Sequence, residues 1–222
     1  MASQASRLNR LPAAERGITI ADFLVPVTVG ERLSSRARHA ALIVAGALLI
    51  ALSANITIPV PGSPVPITGQ TFSVLLVGGA LGTRRGVLAT LLYLVLGLFV
   101  PVYAGHTQGI QTIGTVSGGH LVLGATGGYL IGFVVAAGLV GRLAELGWDR
   151  GFLGALAALT IGDLVIYLFG VPWLMAATGI DLATAIAQGV TPFLLGDALK
   201  LALAAGLFPF AWWVVGRSSG ER

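Results

Sequence analysis

The chain of 222 residues contains no cysteine, few histidines and little charge. Without cysteine it has neither disulfides nor thiolate metal sites, and three histidines (His39, His106, His120) offer little material for a metal centre. It also lacks a G-x-x-x-x-G-K-[ST] phosphate loop, so ATP binding is not written into it. Charged residues make up 10%, against 55% hydrophobic and a mean hydropathy of +0.90, values far outside the soluble range. The solvent implied is lipid. Glycine, at 32 residues, has about twice its usual share, which suits closely packed helices and tight loops. The first 36 residues are polar and arginine-rich, without the apolar core and cleavage site of a signal peptide. A retained cytoplasmic tail is therefore expected over 1–36.

Apolar runs long enough, or nearly so, to cross the hydrocarbon core cover 37–54, 86–100, 125–143, 152–171 and 192–215. A shorter run over 68–81 follows "NITIPVPGSPVPITGQ", whose four prolines exclude helix and predict an extended segment dipping into the protein. With that run the count is six. The fold class expected is an all-α integral membrane protein: six transmembrane helices over 37–216 and a cytoplasmic C-terminal tail over 217–222.

Positive charge orients it. Twelve of the thirteen Lys and Arg lie before residue 39, at Arg84 and Arg85, at Arg142 and Arg150, or at Arg217 and Arg222. Six spans place all of them on one side, which the positive-inside rule makes the cytoplasm, with both termini there. The opposite loops, 55–67, 102–124 and 172–190, hold no Lys or Arg. The net charge of +4 thus needs no nucleic acid to explain it. In one of these loops, "VYAGHTQGIQTIGTVSGGHLVLG", apolar and small polar residues mix, which fits a lid over a cavity or a simple cover over helix ends.

Three ionisable groups remain at membrane depth, Asp163, Asp197 and Lys200. Each costs about 2.5 to 3.5 kcal/mol at the centre of a span, so function is the starting hypothesis. Asp197 and Lys200 stand about 60° apart on one helix face, about 8 and about 12 Å below the outer boundary. Asp163, on a helix running the other way, reaches a similar depth. The pair could lock helices together or could hold a ligand. A donor beside an acceptor suits a neutral head with N–H groups and a carbonyl, such as a ureido group. Thr68, Gln70, Tyr93, Tyr129 and Tyr167 are placed to complete a pocket, with Trp173 just beyond the fifth span.

The run "IPVPGSPVPITGQTFSVLLVGGALGTRRGVLATLLYLVLGLFVPVYAG", then "GGYLIGF", then "FLLGDALK", resembles the BioY family, biotin-specific substrate-binding (S) components of energy-coupling-factor (ECF) transporters. The similarity runs from about residue 41 to 210. It implies biotin as ligand, no cofactor, no enzymatic activity, a multi-pass place in the cell membrane, and partners comprising a transmembrane coupling protein and two ATPases. It also implies ligand contacts at Asp197 and Lys200 of "GDALK", around "TGQT", and after "PVYAG". Small residues at four-residue spacing, Ala37, Ala41 and Ala45, would meet the coupling protein or pack within the same bundle, and Ala47 with Ala51 repeats the spacing. The biotin carboxylate is expected near the loop from 105 to 119, on backbone N–H groups or hydroxyls, with His106 and His120 either helping there or, the favoured alternative, facing water from the loop. Two departures from the family pattern stand out: Ala125 occupies a position usually held by proline, and the loop after "PVYAG" is longer than usual.

Two other classes compete. An ion-coupled carrier would use Asp163 or Asp197 as protonation sites. A serine hydrolase would use Ser117 and His120 of "SGGH", but no orienting acid or oxyanion site is evident there.

Overall fold

The computed structural model describes residues 19–24, 35–117 and 120–220. The helices are α1 (Ile20–Leu24), α2 (Ser35–Ala54), α3 (Gln70–Leu81), α4 (Thr83–Phe99), α5 (Gly127–Glu145), α6 (Phe152–Thr178), α7 (Leu182–Gly189) and α8 (Leu194–Gly220). Four of them carry segments long and apolar enough to cross a membrane: Arg36–Ala54, Gly127–Glu145, Phe152–Thr178 and Leu194–Val214. The 12 residues of α3 and the 17 of α4 span only about 18 and about 25 Å.

Gly82 separates α3 from α4. Its φ of 81° lies in the left-handed region that favours glycine, and its N–H bonds Gly78 O, so the chain reverses without a loop. Of the four membrane-length helices, α5 is the most enclosed, and it packs against α3, α4 and α6. Small residues make the close contacts: Gly78 of α3 lies against the Ala137 backbone of α5, and Ala89 of α4 lies against Gly46 of α2. Large apolar side chains such as Leu52, Leu164, Leu168, Leu195 and Leu199 point outward, as the lipid-facing side of a bundle requires.

Several expectations need correction. The chain is mostly helical rather than all-α, since two small antiparallel hairpins join the helices. One pairs β1 (Thr57–Ile58) with β2 (Ile67–Thr68); the other pairs β3 (Gly114–Ser117) with β4 (His120–Leu123). The first is the proline-rich segment, extended as anticipated. The fifth apolar run does not stop at Val171, because α6 continues through Pro172 to Thr178. Proline removes one backbone donor, which an otherwise continuous helix can tolerate. Trp173 consequently sits inside α6. Ala47 and Ala51 are buried within the bundle, whereas Ala41 and Ala45 are exposed, so the two stripes of small residues face different ways.

The part of the segment before α2 that is described packs on the bundle. Thr19, Ile20 and Ala21 are buried, and Asp22 ties them to the arginine-bearing end of the bundle. Arg85 Nη1 and Nη2 donate to Asp22 Oδ1 and Oδ2 at 2.7 and 2.9 Å, Nη2 also donates to Thr19 Oγ1 at 2.8 Å, and Arg38 lies 3.5 Å away. Residues 1–18 and 25–34 of the expected tail lie outside the described residues. At the same end, Trp212 Nε1 donates to Asp149 Oδ2 at 2.7 Å, and the Arg150 guanidinium stacks 3.6 Å from the Trp212 ring.

Burial pushes the Asp22 carboxyl up, but hydrogen bonds from Arg85 and Thr19 and the Arg85 charge outweigh it and hold the group at about 2. Its folded value lies below the unfolded 3.8, so the clasp stabilises above about pH 4 and is lost as pH falls towards 2. Asp22→Asn is expected to lower stability at neutral pH by on the order of 1 kcal/mol, allowing for solvent screening of a half-buried pair. Thermal unfolding in detergent should show the gap between variant and wild type narrowing as pH drops below 4. A constant gap would mean that Asp22 acts through packing alone.

Candidate functional site

At the end opposite the arginines the helices part around a cavity of about 570 Å³. Its floor is polar and its walls are apolar. On the floor, Lys200 Nζ donates to Asp197 Oδ1 and to Thr71 Oγ1, both at 3.1 Å. The Tyr167 hydroxyl donates to the other oxygen, Asp197 Oδ2. Both carboxylate oxygens are thus occupied, and the residue is 4% exposed. Helix α8 puts Asp197 and Lys200 one turn apart, α6 supplies Tyr167, and α3 begins with Gln70 and Thr71.

Beside this group, Gln70 Nε2 donates to the Tyr93 hydroxyl, and Gln70 Oε1 accepts from Thr68 Oγ1 at 3.0 Å. The amide orientation is locked from both sides. The walls include Leu130 and Phe133 of α5, Ile166 of α6, and Phe193 just before α8. Pro64, Val65 and Pro66 of the hairpin turn, with Tyr103, Ala104, Thr107, Gln108, Gln111 and Thr112, close the outer part. An apolar shell with few, converging polar groups is the usual build of a small-molecule site.

The closing segments are braced. Ser63 Oγ donates to Gln188 O at 2.7 Å, and the Tyr129 hydroxyl donates to Gly189 O at 3.0 Å. The last residues of α7 therefore hold the proline-rich turn and α5 together. Trp173 Nε1 donates to Gly124 O at 2.9 Å, which fixes the strand leading into α5, and the Tyr103 hydroxyl donates to Leu94 O at 2.6 Å.

Six of the eight sequence candidates line the cavity: Thr68, Gln70, Tyr129, Tyr167, Asp197 and Lys200. Tyr93 does not, being fully buried behind Gln70, which it positions. Asp163 does not either. It is buried next to the floor, and among the described residues its Oδ1 has no hydrogen-bond partner. His106 is exposed with a φ of 60°, His120 is exposed on β4, and neither lines the cavity. Ala125, at the position of the missing proline, does line it. Thr71, the acceptor for Lys200, carries no signal as a lone threonine but sits in "TGQT". The apolar wall residues could not be told from core or lipid-facing ones by sequence pattern.

Ser117 and His120 are opposite each other in the β3–β4 register. Among the described residues there is no group of three or more His, Asp or Glu that could hold a metal ion.

Comparison with known proteins follows the same lines. The BioY family model matches residues 27–217. A probable biotin transporter BioY of Pyrococcus horikoshii is 38% identical over 170 residues, covering 76% of this chain and 93% of its own. The biotin transporter BioY of Thermotoga maritima is 36% identical over 165 residues, covering 74% and 90%. That of Rhizobium etli is 33% identical over 167 residues, covering 72% and 84%. Among solved structures, the crystal structure at 2.1 Å of the S-component for biotin from an ECF-type ABC transporter superposes with a TM-score of 0.70. It shares 24% identity and covers 80% of this chain and 93% of that one, a likeness of fold.

Proposed function

The chain belongs to the BioY family, and from that membership we propose that it captures biotin as the substrate-specific component of an ECF-type transporter in the cell membrane. It is a transport component rather than an enzyme. The observation that carries the reading is the cavity floor, where Asp197, Lys200 and Tyr167 form one hydrogen-bonded group beneath apolar walls. A ureido ring is neutral and offers two N–H groups and one carbonyl. Asp197 accepts, Lys200 donates, and Gln70 and Thr71 can serve beside them. The bicyclic body and aliphatic tail suit Leu130, Phe133 and Ile166.

In this reading all six longer helices cross the membrane, the arginine-bearing end is cytoplasmic, and the cavity loads from outside. Residues 1–36 and 217–222 are the cytoplasmic tails of a domain over 37–216. The segments at 64–66 and 104–112 act as the lid. Energy comes from partners, a transmembrane coupling protein and two ATPases. Ala41 and Ala45, exposed on α2 in line with Ala37, offer the coupling protein a face that can be approached closely.

Calorimetry on the detergent-purified chain tests the proposal. Biotin should bind tightly without ATP, and thiamine and riboflavin should give no heat. Absence of heat with biotin would overturn the reading. The unpartnered Asp163 Oδ1 favours a second reading, an ion-coupled carrier. That reading requires uptake by this chain alone that collapses when the proton gradient is dissipated.

A further inference from the structure

Among the described residues, the outer end of the cavity carries no cation. Lys200 is the only Lys or Arg among the described lining residues, and it is engaged on the floor by Asp197 and Thr71. At the other end Pro64, Thr107, Gln108 and Gln111 line the cavity and are also exposed, so this end borders solvent. Gln111 Nε2 donates to Gln108 O at 2.7 Å, which leaves amides and hydroxyls, but no guanidinium or ammonium, to form the lip. The loops 55–67 and 102–124 that build this end contain no Lys or Arg at all.

A ligand seated with its head on the floor therefore ends its tail among neutral groups and water. A site that recognises a carboxylate by charge would strand a desolvated cation when the charge is removed, and so would reject a neutral analogue strongly. No such cation is present among the described residues of the lip. A substituent beyond the carboxylate would emerge at this exposed rim. We infer that the protein accepts biotin amides, in which the tail carboxylate is joined to an amine, with affinity close to that for free biotin. This substrate class rests on the biotin reading and on the head-inward orientation proposed above.

The test is calorimetry on the full detergent-purified chain with biotin, its N-methyl amide, and biotin amide-linked to the side chain of lysine. Both amides should bind within about tenfold of biotin, and all three affinities should be insensitive to salt. Amides weaker by more than that, beside tight biotin, would overturn the inference, because the carboxylate would then be read by its charge. Lys200→Ala gives an independent readout. Equal losses for biotin and its amides support the inference, whereas a loss confined to biotin would seat the carboxylate on Lys200 and overturn it. Failure of biotin itself to bind the wild-type chain would overturn the proposed function and this inference together, an outcome distinct from failure of the amides alone.

Discussion

Asp197→Asn and Lys200→Ala are each expected to weaken biotin binding at least tenfold, about 1.4 kcal/mol, with Lys200→Ala the more damaging. The asymmetry follows from burial. The Asp197 side chain is 5% exposed and the Lys200 side chain 20%. Removing the lysine leaves a carboxylate in the bundle with only the Tyr167 hydroxyl to answer it. Removing the aspartate leaves an ammonium that keeps Thr71 and reaches the cavity. Breaking a buried pair from one side costs about 3 to 5 kcal/mol of stability where the pair is dry, and less where it borders a cavity. Both single variants should therefore melt lower as well as bind worse.

That double loss would not by itself separate a ligand site from a structural lock, but the double variant does. Asp197→Asn combined with Lys200→Met removes both charges, and replacing a buried pair by uncharged groups is often neutral or stabilising. Melting should recover towards wild type while biotin binding stays lost. If the double variant binds biotin like wild type, the pair only fastens turns of α8 to α3 and α6, and the site assignment fails.

The charge pattern is why so much of the arrangement was legible. In lipid a charge is too costly to be idle, so three residues out of a long apolar stretch pointed to one depth, and Asp197 with Lys200 indeed form the cavity floor. Asp163 carries the same cost but lies behind the floor rather than on it. Depth along a helix comes from the rise per residue, whereas the side of the helix that faces a cavity depends on packing partners that a single sequence does not reveal. Tyr93 likewise lies behind Gln70, outside the cavity lining. The proline-rich stretch was legible as extended because proline cannot donate, yet its closing of the cavity depends on one hydroxyl reaching Gln188, 125 residues away. The folding of 19–24 onto the bundle was hidden by composition, since a polar, arginine-rich segment looks solvated until Asp22 finds Arg85.

Gly78→Leu is expected to prevent the bundle from forming. At Gly78 the short helix α3 touches both neighbours through backbone. A Cβ added there would lie 2.6 Å from Ala137 O and 2.9 Å from Ala137 Cα of α5, while a Cβ on Gly86 of α4 would lie 2.9 Å from Gly78 Cα. Without a hydrophobic drive between helices in lipid, such close packing is much of what holds them, and α3 has only 12 residues over which to find it. Overpacking a core with side chains that can yield costs about 1 to 3 kcal/mol. Here the obstacle is main chain, so the leucine should cost more than that, a large share of a total stability of about 5 to 15 kcal/mol. Because Gln70 and Thr71 ride on the same helix, binding should be lost together with the fold. Yield, size-exclusion profile and thermal melting in detergent measure this directly. Gly206→Ala is the control: nothing lies within 4 Å of the added Cβ, and alanine favours helix over glycine by about 1 kcal/mol, so melting should stay the same or rise. A Gly78→Leu protein that melts and binds biotin like wild type would show that α3 can move away from α5 without loss, and the close junction would then have no part in holding the site.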